Sequence, residues 1–64
     1  MDEVKGLAYQ RRAKEAADIR SIVLELYPGH TLRMAVLLGT RDRVLGDKER
    51  TLLREFYSTE LDWR

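Results

Sequence analysis

A chain of 64 residues with a net charge of +1, 36% charged and 44% apolar, makes one small globular domain. Such a chain buries only about 60% of the surface its unfolded form exposes, so it relies on closely packed helices or on a partner subunit. The lack of cysteine excludes a disulfide scaffold and a thiolate zinc site, and no segment approaches the roughly 18 apolar residues of a membrane span.

The first element is predicted as a long helix from about Asp2 to Leu26. Asp2 and Glu3 suit the positive end of a helix dipole, and residues 8–17 are rich in Ala, Arg, Lys, Gln and Glu, all strong helix formers. Val4, Ala8, Ala16, Ile19, Val23 and Leu26 form a stripe at helical spacing. Its inward positions are large only from Ala16 onward, and Arg12 interrupts it. The C-terminal half is therefore expected to pack firmly while the N-terminal half projects or covers a partner. Ile22 and Leu24 lie about 200° apart on the helix, so one of them must face solvent or a second partner.

Tyr27-Pro28-Gly29-His30 ends that helix. Proline disfavours helical geometry in the residue before it, and Pro-Gly suits the centre of a type II turn. Thr31 is the N-cap expected of the next element. The run Leu32-Arg33-Met34-Ala35-Val36-Leu37-Leu38 alternates well enough for a strand. Its Leu, Arg, Met and Ala content favours a helix, with Val36 the only β-branched residue inside it. The spacing predicts a helix over about 31–45 with a possible break at Gly39. Five consecutive apolar residues, 34–38, predict burial on most sides. Gly46 then terminates it, and Asp47 caps a third helix over about 47–58 whose apolar face is Leu52, Leu53, Phe56 and Tyr57. Residues 59–64 form a short tail.

Catalytic chemistry has little to work with. There is one histidine, no cysteine, no glycine-rich phosphate loop and no metal-ligand spacing. His30 reads as a solvated loop residue, and a chain this small can hardly shield a general base. No enzyme activity, cofactor, metal or small-molecule substrate is expected. The charge is distributed unevenly: residues 1–27 hold five basic and five acidic side chains, residues 28–50 five against three. Arg41, Arg43, Lys48 and Arg50 fall in that mildly basic middle. With Ala35, Gly39 and the aliphatic Val44-Leu45 they outline a degenerate helix-turn-helix at residues 34–50, which could reach phosphates or base edges. The bias is far below that of a dedicated nucleic-acid binder.

The other candidate surface is apolar. Ile19, Ile22, Val23, Leu24 and Tyr27 are more than one neighbouring helix can cover, and Leu61 and Trp63 alternate with acids in the tail. Self-association would cover them and enlarge the core. The expectation is an all-α, three-helix bundle: a long first helix, a short buried second and an amphipathic third, arranged antiparallel. It is expected to act as a cytoplasmic, non-enzymatic regulator or adaptor through protein–protein contacts. A homodimer, or a complex with a larger machine that it inhibits or assists, fits that reading, and so does a phage origin. A small DNA-binding transcriptional regulator is the alternative.

Overall fold

Proline and two residues of left-handed backbone set where the helices stop. The computed structural model describes residues 2–61, with side chains described from Gly6 onward. It forms a three-helix bundle: α1 (Asp2–Leu26), α2 (Leu32–Arg41) and α3 (Asp47–Leu61), each touching the other two. After α1, Gly29 takes φ +83°, the conformation that the third residue of a type II turn requires. Thr31 then caps α2, its hydroxyl accepting from the Met34 N–H at 3.3 Å.

The second helix runs through Gly39 and stops at Arg41, four residues short of the predicted end. The Asp42 N–H still reaches the Leu38 carbonyl, at 2.9 Å, and Arg43 then turns left-handed at φ 61°. The chain doubles back so that the N–H groups of Val44 and Leu45 both meet the Gly39 carbonyl, at 2.8 and 3.1 Å. That fold-back lays Leu45 on Gly39. A Cβ at position 39 would sit 3.1 Å from the Leu45 side chain and 3.3 Å from that of Val23. Gly39 is therefore used for its small size at a crowded contact, and not as a helix breaker.

Helix α3 starts at Asp47, with Gly46 as its cap. The Glu49 carboxylate accepts from the Gly46 N–H at 3.0 Å, one half of a capping box, so Asp47 falls in the first turn. The helix bends at Tyr57 (φ −129°, ψ 32°) and continues beyond residue 58 to Leu61.

Val23, Leu32, Ala35, Leu45 and Leu53 form the buried cluster, and Ile19, Leu24, Tyr27, Val36, Tyr57 and Leu61 pack around it. Every helix and the 42–46 turn contribute. Helix α2 buries Leu32, Ala35 and Gly39 along one face, while Met34 and Leu37 stay exposed. Burial on most sides does not occur, because among the described residues only α1 and α3 flank it.

The antiparallel arrangement needs correcting where α3 meets α1. The adjacent Phe56 and Tyr57 contact α1 residues eleven positions apart: the Phe56 ring lies 5.2 Å from that of Tyr9, and Tyr57 sits under the Arg20 guanidinium at 5.3 Å. Eleven residues span about 16 Å of helix, so α3 crosses α1 obliquely with the two rings on either side of the crossing. The molecule is elongated because α1 alone, with 25 residues, spans about 37 Å. Its longest dimension is 41 Å and its radius of gyration 12.5 Å, against about 10.7 Å for a compact chain of this length. None of the described helices is long and apolar enough to cross a membrane.

Candidate protein-interaction surfaces

Two uncovered surfaces flank the core, one on α1 and one between α2 and α3. On α1 the helical period separates neighbouring residues sharply. Val23 is fully buried, and one residue before it Ile22 is 54% exposed. Leu26 lies four residues after Ile22, hence on the same side of the helix, and is 53% exposed. Leu24, on the opposite side from Ile22, packs against the core, which resolves the pair that sequence alone left open.

The seven predicted interface residues are thus divided. Val23 has no surface to offer a partner. Ile19, Leu24, Tyr27 and Leu61 are half-buried against the core, Ile22 is free, and Trp63 lies outside the described residues. Leu26, expected on the inward stripe, faces out. The inward line passes through Ala16, Val23 and Tyr27, whose phenol reaches across to α2. Leu7 and Tyr9 are also half-exposed, near the start of α1.

The second surface is a shallow groove between α2 and α3. Among the described residues, Val36, Leu37 and Leu61 supply its apolar lining, and Arg33, Arg41, Arg50 and Arg54 its charge, with Asp47 the one acid. Leu37 is 48% exposed. Of the four basic residues predicted to contact nucleic acid, the groove brings together Arg41 and Arg50. Arg43 projects from the turn outside it, and Lys48 faces α1, 3.7 Å from Glu15. The helix-turn-helix that would pivot at Gly39 is not formed, since Gly39 is inside α2 and the turn lies at 42–46.

Sequence reasoning missed Arg33 and Arg54. The available signal was their spacing: Arg33 precedes Leu37 by four residues, and Arg50 precedes Arg54 by four, so each pair shares a helix face. Pairing the two faces required the position of the turn, which the glycines obscured.

Electrostatics tie the helices together at the edges of these surfaces. The Arg20 guanidinium donates to both Glu60 oxygens at 3.1 Å, and Arg12 donates to Glu55 at 3.3 Å. The Tyr27 hydroxyl donates to Asp42 at 2.7 Å, and Arg41 donates to the same carboxylate at 2.9 Å. The hydrogen bond from Arg41 and then that from Tyr27 hold the Asp42 carboxyl below its ordinary range, while the bond to Asp42 raises the Tyr27 phenol. The Glu60 hydrogen bond raises Arg20 further above neutrality. Among the described residues, no three His, Cys, Asp or Glu side chains gather as a metal-binding group. No family model, curated protein or solved structure matches this chain.

Proposed function

We propose that this chain is a non-enzymatic cytoplasmic adaptor or regulator that works by binding other proteins, beginning with a second copy of itself. The observation that carries the reading is the α1 stripe. Ile22 and Leu26 stand more than half exposed on an ordered helix, beside a residue that is fully buried. Ile22 and Leu26 lie one turn apart on the same side of α1, so they form a small joint apolar patch that a second helix could cover. A small core with surface to spare gains most from a symmetric partner, because the same stripe can pair with itself.

Light scattering across a concentration series tests this. The parent chain is expected to move from monomer to dimer, and Ile22→Asp or Leu26→Asp to remain monomeric while keeping its helical signal. A parent that stays monomeric at high concentration, unchanged by either substitution, rules out the homodimer.

A second reading, a small DNA-binding regulator, draws on Arg41, Arg43 and Arg50, exposed at or near the 42–46 turn. It calls for duplex binding that falls steeply with salt. The pairing of Arg41 with Asp42 and of Arg50 with Asp47 makes it the weaker of the two.

A further inference from the structure

We infer that the α2–α3 groove docks an acidic, amphipathic segment of a partner protein, an inference that rests on the protein-interaction reading and names the chemistry of its partner. The first ground is charge. Four arginines line one shallow groove, with Asp47 as the only acid in its lining among the described residues. Arg50 and Arg54 lie four residues apart on α3, where like charges repel, so an anion between them relieves a strain already present in the free protein. Arg54 makes no ion pair among the described residues. Arg41 and Arg50 are held by sequence neighbours, Asp42 and Asp47, in exposed pairs. Such pairs contribute little and exchange readily. The Arg41, Arg50 and Arg54 guanidinium groups then offer a carboxylate a two-pronged fit that a lysine could not.

The second ground is the apolar lining. Val36 and Leu37 on α2, between Arg33 and Arg41 in the chain, and Leu61 on α3 line the same groove. An amphipathic helix lays residues at i, i+3, i+4 and i+7 into a groove of this kind, with acids at the flanking positions to meet the arginines. Nucleic acid fits less well. No aromatic side chain lines the groove among the described residues, so bases would find no stacking platform. A concave surface also cannot enter the major groove of a duplex as a projecting helix does.

The test is fluorescence anisotropy with three labelled probes. One is a peptide of about four helical turns with Leu at the i, i+3, i+4 and i+7 positions and Glu elsewhere. The second replaces every Glu by Lys, and the third is duplex DNA of random sequence. The full chain is expected to bind the acidic peptide saturably and to ignore the basic one. An Arg50→Glu/Arg54→Glu variant should weaken that binding at least about tenfold, and Arg54→Ala should move it in the same direction should the double variant fail to fold. Leu37→Ser should weaken it severalfold, whereas Arg11→Glu on the exposed face of α1 should leave it unchanged. Absence of saturable binding, binding indifferent to the arginine variants, or tighter binding to the duplex than to the acidic peptide each overturns the proposal. Light scattering on the same samples keeps the two readings apart. A chain that dimerises through Ile22 yet ignores the acidic probe loses the groove alone.

Discussion

Gly29 and Arg43 both hold a positive φ, at +83° and +61°, but only glycine does so without a steric penalty. A Cβ on Gly29 would meet nothing within 4 Å, so Gly29→Ala isolates the backbone effect and should destabilise the fold by about 1 kcal/mol. Arg43→Gly should do the reverse, adding up to about 1 kcal/mol by relieving the left-handed arginine. The midpoint of urea unfolding checks both. Equal midpoints in the two variants and the parent would remove the backbone argument. Gly29 was legible because Pro28 precedes it and the pair has one common use. Gly39 was not legible, because sequence does not say which property of a glycine is being used. Its freedom would have ended the helix. Its size is what the structure uses, and that depends on Leu45 and Val23, 6 and 16 residues away in sequence.

Between elements, one polar connection joins the end of α1 to the end of α2. Tyr27, just past α1, donates to Asp42, just past α2, and Arg41 completes the group. Because folding lowers the Asp42 pKa, the folded state favours the ionised carboxylate. Its contribution is fully present above the unfolded value of about 3.9 and is lost as pH falls through the folded value. Thermal melts across the acid range below about pH 4 should therefore show the parent losing more stability than Asp42→Asn does. Parallel curves for the two would mean that the clasp contributes nothing to acid sensitivity. Charge on α1 was only partly readable. Arg12 looked like an interruption of an apolar stripe, and it is a link to Glu55 on α3. Glu15, one turn after Arg11, reaches Lys48 on α3. Intrahelical spacing is printed in the sequence, but the crossing of a second helix is not.

At the scale of the molecule, three helices and their order follow from periodicity, one Pro-Gly turn and a cap at Thr31. The two-part character of α1 follows from the change from small to large side chains at Ala16. The angle of α3 did not follow, nor did the choice between Ile22 and Leu24 as the outward residue. Both depend on where the 42–46 turn places its neighbours, and that turn is closed by backbone bonds to the Gly39 carbonyl that any residue could make. The two surfaces were legible to different degrees for the same reason. The α1 stripe lies on one helix and shows in its spacing, whereas the groove needs two helices in register.

The oblique crossing of α3 over α1 has a kinetic consequence. The Tyr9–Phe56 and Arg12–Glu55 contacts join residues more than 40 positions apart, while α2, its turn and α3 occupy a single stretch of 30 residues. Chains dominated by local helical contacts fold in microseconds to milliseconds, and the closure that spans the most chain carries the largest entropic penalty. The first turns of α1 are therefore expected to dock last. A Tyr9→Ala variant should then unfold faster while folding at the parental rate, whereas Leu45→Ala should fold more slowly. Rapid-mixing kinetics across a urea series would separate them, and a Tyr9→Ala chain that folds as slowly as Leu45→Ala would reverse the order of events.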